Sequence, residues 1–173
     1  MICTFALIFI GAGAAAISGN LMAVALAHGL VVMTFPFVYG HHSGTFMNPA
    51  VTFGVWVAGE IEFGKMIAYW IAQASGAVIG AALLYFVLGG AECGLGATVP
   101  AENISIFQGL IVEALLTFFL MNAILNTAVR GKVGDLAPIV IGMTLVFCIL
   151  MGGPLTGASL NPARTLGPAL FTG

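Results

Sequence analysis

Ser43-Gly44-Thr45-Phe46-Met47-Asn48-Pro49-Ala50-Val51-Thr52-Phe53-Gly54 and Thr156-Gly157-Ala158-Ser159-Leu160-Asn161-Pro162-Ala163-Arg164-Thr165-Leu166-Gly167 are two versions of one pattern. Both contain Asn-Pro-Ala, at 48–50 and at 161–163, an offset of 113 positions (161 − 48). Under that one shift Gly40, Gly44, Thr52 and Gly54 fall on Gly153, Gly157, Thr165 and Gly167. Farther upstream Thr4-Phe5 falls on Thr117-Phe118 and Gly29 on Gly142, without a gap. This is an internal duplication, and its unit is a group of apolar helices ending in a broken segment.

Asn-Pro-Ala has the chemistry of a helix start. The Asn side-chain oxygen accepts from an orphan backbone N–H. Pro suits the first helical position, where its missing donor costs nothing and its φ is already set. Each tripeptide is therefore expected to open a short helix, about 48–58 and 161–171. Neither is long enough to cross a bilayer, which takes ~20 apolar residues. One copy alone would read as an ordinary capped helix. Two copies at equivalent points of a repeat read as half-helices that enter a membrane without crossing it.

Composition leads to the same place independently. Of the 173 residues 61% are hydrophobic and 6% charged, where a soluble domain would have roughly a quarter charged; the mean hydropathy is +1.15. Such a chain belongs in a lipid bilayer. A formal charge of −2 gives nucleic acid nothing to bind. Cys3, Cys93 and Cys148 lack metal-ligand spacing; Cys3 and Cys148 read as small core residues and Cys93 as a loop thiol. No phosphate loop, metal cluster or nucleophile–base pair occurs, and Ser43 and Ser159 have no base within evident reach. Neither an enzyme nor a cofactor is implied.

In chain order, residues 1–18 read as a first apolar helix. A signal peptide is a second reading on length, but the duplication pairs this stretch with residues inside a longer helix. Further spans are expected over 21–39, 66–88, 107–129 and 136–151, with loops over 40–47, 59–65, 89–105 and 130–135. Lys65, Arg130 and Lys132 lie in connections that counting of crossings puts on one side. Positive charges prefer the cytoplasm, so 89–105 faces the other way. The sequon Asn103-Ile104-Ser105 in that loop reads as chance. The duplication divides one membrane domain, 1–173, into repeats of about 1–88 and 108–173. It also assigns the span 66–88 a partner at 179–201, so the chain is expected to lack a sixth helix. Likewise Glu113 pairs with a position just before Met1, which reads as a truncated start.

At these residues the chain resembles the aquaporins, the major intrinsic protein family. The resemblance rests on the paired motifs, the second followed by Arg164, and on Gly11-Ala12-Gly13 in the first helix, and it runs along essentially all 173 residues. It implies an all-α membrane protein: an aquaporin-like inverted repeat, with five spans here and two re-entrant half-helices meeting at the midplane. It also implies a homotetramer, in the cell membrane by expectation, with a pore through each copy. The pore motifs fall on Asn48, Pro49, Ala50, Asn161, Pro162 and Ala163. The selectivity-filter positions fall on His28, Ile149, Ala158 and Arg164, and Glu113 takes a structural role bonding the second descending loop. Phe46 departs from the pattern, standing where many members carry His.

A mechanism follows from half-helices placed tip to tip. Each helix N-terminus carries roughly +0.5 charge, which repels cations. The amides of Asn48 and Asn161 donate to a passing water, and the carbonyls of about 40–45 and 153–158 accept. The expected function is passive passage of water, with ammonia, glycerol, urea or other small neutral solutes also admitted, and exclusion of ions and protons. Arg164 is a functional candidate because it is a charge in an apolar segment; His28, a single His in an apolar span, has a competing reading as a core residue. Ile149 opposite His28 resembles plant tonoplast-type members. Thr165 and Ala169 follow the water-channel pattern, where glycerol facilitators carry Asp and a basic residue. A glycerol or small-solute facilitator and a non-conducting membrane scaffold are the alternatives. An ion-coupled transporter would need midplane carboxylates, and Glu113 is the sole acid within a span.

Overall fold

Every long apolar stretch of the chain is helical, and the helices break where Gly, Pro and capping residues interrupt the pattern. A computed structural model describes residues 1–131 and 133–173; Lys132, used above for orientation, lies outside them. In order come α1 (Ile2–Ser18), α2 (Leu21–Tyr39), α3 (Pro49–Val57), α4 (Phe63–Leu88), α5 (Ile106–Val129), α6 (Ala137–Thr156) and α7 (Pro162–Thr172). There is no strand among the described residues. The starts have local causes. Asn20 accepts from the Met22 and Ala23 N–H groups at the head of α2, and Ser105 forms a reciprocal capping box with Gln108 at the head of α5.

The chain is an integral multi-pass membrane protein. The helices α2, α4, α5 and α6 are long and apolar enough to cross a bilayer, and α1, at 17 residues, is shorter, near the lower limit for a span. Outward-facing side chains are large and apolar: Phe86, Ile106 and Phe107 are 72–79% exposed, as suits contact with lipid. Two boundaries differ from the sequence reading by more than one residue. The helix α4 starts at Phe63, three residues before Met66. The helix expected to end at Met151 continues through Pro154 to Thr156 and stops at Gly157, whose φ is +80°. Proline is tolerated within a membrane helix, where neighbouring protein groups can take up the carbonyl it frees. The second descending segment is therefore 157–160, and the carbonyls of 153–156, expected along the path, belong to a helix instead.

Packing depends on small residues, as it must where no hydrophobic force drives helices together. The helices α2 and α6 cross at Gly29 and Gly142, the very pair that the 113-residue offset superposes. A Cβ added to Gly29 would lie 2.8 Å from the Gly142 carbonyl oxygen, and one on Gly142 would lie 2.6 Å from that of Gly29. No other residue permits backbones so near. On α4 the small face of Gly76, Ala77, Gly80 and Ala81 is buried; it lies between α1 and α7. The half-helix α3 packs on α4, α5 and α7, which brings its N-terminus to that of α7.

Candidate functional site

The two Asn-Pro-Ala segments start α3 and α7 in the same way. Asn48 Oδ1 accepts from the Ala50 and Val51 N–H groups at 2.9 and 3.4 Å. Asn161 Oδ1 accepts from Ala163 and Arg164 at 3.0 and 3.3 Å. The remaining half of each amide ties the tips together. Asn48 Nδ2 donates to the Leu160 carbonyl at 2.7 Å, and Asn161 Nδ2 donates to the Met47 carbonyl at 2.9 Å. This reciprocal bond revises the sequence reading, which left both amides to the pore. Each NH₂ has two donors, and one of each is committed to the opposite loop. Both loops approach their tips through left-handed backbone, at Thr45 (φ +49°) and Ala158 (φ +44°), again 113 apart (158 − 45). Such geometry costs a non-glycine residue of order 1 kcal/mol or more, and persists only where the surroundings enforce it.

What enforces it is a set of polar side chains inside the helices. On α4, Tyr69 OH accepts from Gly44 N–H at 2.9 Å, Trp70 Nε1 donates to the Pro49 carbonyl at 3.1 Å, and Gln73 Nε2 donates to the Phe46 carbonyl at 3.0 Å and to Thr52 Oγ1 at 2.8 Å. On α5, Glu113 holds the second loop. Its Oε1 accepts from Thr156 Oγ1 at 2.7 Å and Ser159 N–H at 3.0 Å, and its Oε2 from Leu160 N–H at 2.8 Å. Irregular backbone at membrane depth needs protein partners of this kind.

Between the tips and the surrounding helices runs a cavity of about 140 Å³. Asn48, Asn161, His28, Ile149 and Arg164 all line it. Ala158 does not: it is buried, and its methyl points toward Gly152, 3.3 Å from where a Cβ there would sit. The guanidinium of Arg164 is buried and its Nη1 donates to the Gly96 carbonyl. The imidazole of His28 is buried, with Nδ1 2.9 Å from the Val24 carbonyl. Nδ1 therefore carries the hydrogen, and in the neutral ring Nε2 is left as an acceptor.

Two supports of Arg164 and His28 escaped the sequence reading. Gly94-Leu95-Gly96 was read as part of a solvated loop, yet Leu95 is fully buried among Ile8, Ala12, Leu84 and Ala163, with φ +47°, and so delivers the Gly96 carbonyl to Arg164. An apolar residue between two glycines was the available signal. The other is Gly11, noted only for family resemblance. A Cβ there would lie 2.7–2.9 Å from the His28 ring. Gly11→Ala is therefore expected to push the imidazole toward the cavity and, on the channel reading proposed below, to lower transport about tenfold. Gly11→Ala combined with His28→Ala should recover most of the loss; stopped-flow light scattering on reconstituted vesicles reads both.

A bundle of apolar helices enclosing a cavity between two re-entrant half-helices defines a class of multi-pass membrane protein. Residues 1–173 match the family model of the major intrinsic proteins, and the chain belongs to that family. It is 42% identical to aquaporin TIP1-2 of Zea mays over 164 residues, covering 93% of this chain and 64% of that protein. It is 38% identical to aquaporin NIP1-4 of Oryza sativa subsp. japonica over 173 residues, 96% of this chain and 63% of that one. The chain thus spans a little under two thirds of these relatives. Among solved structures it resembles the aquaglyceroporin from Plasmodium falciparum, with a TM-score of 0.85 and 27% identity over 99% of this chain and 77% of the other.

Proposed function

We propose that this protein is a passive transmembrane channel whose main substrate is water. The observation that carries the reading is the reciprocal tie between the two tips, Asn48 to the Leu160 carbonyl and Asn161 to the Met47 carbonyl, beside a cavity that both Asn residues line. The free N–H of each amide donates to a water passing the tips, and the positive ends of α3 and α7 repel cations there. A water that accepts from both sides is poorly placed to relay a proton onward. Arg164, with His28 and Ile149, forms the narrow filter. Ala158, packed toward Gly152 and away from the cavity, takes no part in it. Glu113 is structural. Two repeats, about 1–88 and 108–173, build the single membrane domain. Copies assemble as a homotetramer in the cell membrane, with no catalytic role.

The likeness to an aquaglyceroporin favours a second reading, in which glycerol, ammonia or urea also pass. Proteoliposomes separate the readings. Shrinkage under an impermeant osmolyte at least about fivefold faster than in empty vesicles supports the water channel. Reswelling under glycerol or urea gradients ranks the solutes. If circular dichroism reports folded, inserted protein and shrinkage matches empty vesicles, the channel reading fails and a scaffold takes its place.

A further inference from the structure

Phe46 lies two residues before Asn48 and lines the cavity. The ring is fixed from two sides. It stands edge-on to Tyr69 with centroids 5.1 Å apart, and a Cβ on Gly44 would lie 2.9 Å from its Cε2. The backbone beneath is clamped as well, by Tyr69 OH on Gly44 N–H and by Gln73 Nε2 on the Phe46 carbonyl. Tyr69 and Gln73 are four apart on α4 and so share one helix face; a single rigid element holds the ring and its loop. The rest of the cavity is unevenly furnished. Toward the end of α6 that leads to Thr156 stand His28 and Arg164, with their polar atoms. Toward the Lys65 end the wall is mostly apolar, with Val32, Pro36, Ile124, Ile141 and Leu145 offering no side-chain hydrogen bond and Thr45, beside Phe46, bringing a hydroxyl.

We infer that Phe46 is a specificity-determining residue of the channel: a fixed aromatic wall that makes the half of the pore on the Lys65 side an apolar constriction. This rests on the channel reading above and adds a second selection step to it. The filter at Arg164 and His28 selects by hydrogen bonding. The Phe46 constriction selects by apolar surface, because a solute there keeps few bonds, to backbone carbonyls, to the Thr45 hydroxyl and to its neighbours in file. Among neutral solutes of one size, those with a methyl in place of an amino group lose least in crossing it.

Acetamide and urea are such a pair, equal in heavy atoms and shape. The test measures both fluxes, and water, in one set of vesicles carrying the wild-type chain, Phe46→Asn, Phe46→Tyr or Phe46→Leu, with empty-vesicle rates subtracted. Phe46→Asn should shift the acetamide-to-urea ratio about fivefold toward urea, while water permeability stays within about twofold. Phe46→Tyr, which keeps the ring between Gly44 and Tyr69, should shift the ratio in the same direction by less, and it serves alone if the Asn variant does not insert. Phe46→Leu should leave the ratio in place. An unchanged ratio in conducting Asn or Tyr vesicles overturns the inference, as does an equal shift in Phe46→Leu. Wild-type vesicles no more permeable to water than empty ones would instead count against the channel itself.

Discussion

Glu113→Leu abolishes transport and unfolds most of the protein at temperatures where the wild type is stable. The carboxylate is the shared acceptor for the Thr156 hydroxyl and for the Ser159 and Leu160 N–H groups, all in the segment that aims Asn161. Leucine fits the helix but leaves the Ser159 and Leu160 N–H groups without a partner, at about 1–3 kcal/mol for each, while the Thr156 hydroxyl falls back on the Gly152 carbonyl. The sum is a large part of the whole stability of an ordinary domain, about 5–15 kcal/mol. Transport fails first, because Leu160 also supplies the carbonyl that receives the Asn48 amide. Glu113→Gln keeps one acceptor oxygen and turns an NH₂ toward the other donors, so its loss should be intermediate. Thermal unfolding in detergent, followed by circular dichroism, orders the proteins wild type, Gln, Leu. Equal midpoints for wild type and Leu would remove Glu113 from the account.

Arg164→Val opens the pore to larger solutes and lets cations leak. The guanidinium is buried, lines the cavity and is held by the Gly96 carbonyl. Valine removes both its bulk and its charge. Glycerol permeability should rise about tenfold while water changes less than about threefold. The positive ends of α3 and α7 remain, about +0.5 charge each, so the cation leak should be measurable but small. Arg164→Lys separates the two contributions. It retains charge without the rigid planar fork, so cations stay excluded while size selection relaxes. Glycerol uptake and a trapped pH dye in the same vesicles report both; glycerol flux unchanged in Arg164→Val would mean that the residue does not set the aperture.

What could be read in the sequence was whatever local chemistry decides. Asn followed by Pro fixes a helix start without reference to anything distant, and α3 and α7 begin at those residues. The offset was also legible, because glycines forced by close approach, Gly29 and Gly142 among them, keep their places in both repeats. What was hidden depends on what a residue meets across the fold. Leu95 looks like loop until its burial is seen. Tyr69 and Gln73 look like incidental polar residues of an apolar helix until they are found holding the loop at Gly44 and Phe46. The direction of the Ala158 methyl follows from a left-handed φ that the side chain does not announce.

Water without protons is the central claim, and one vesicle preparation tests it. Chain-bearing proteoliposomes with a trapped pH dye are given an osmotic step and then a pH step. The geometry at Asn48 and Asn161 predicts shrinkage at least about fivefold faster than in empty vesicles, with proton entry equal to that of empty vesicles. Proton entry that rises in step with shrinkage, or shrinkage no faster than in empty vesicles, would contradict it.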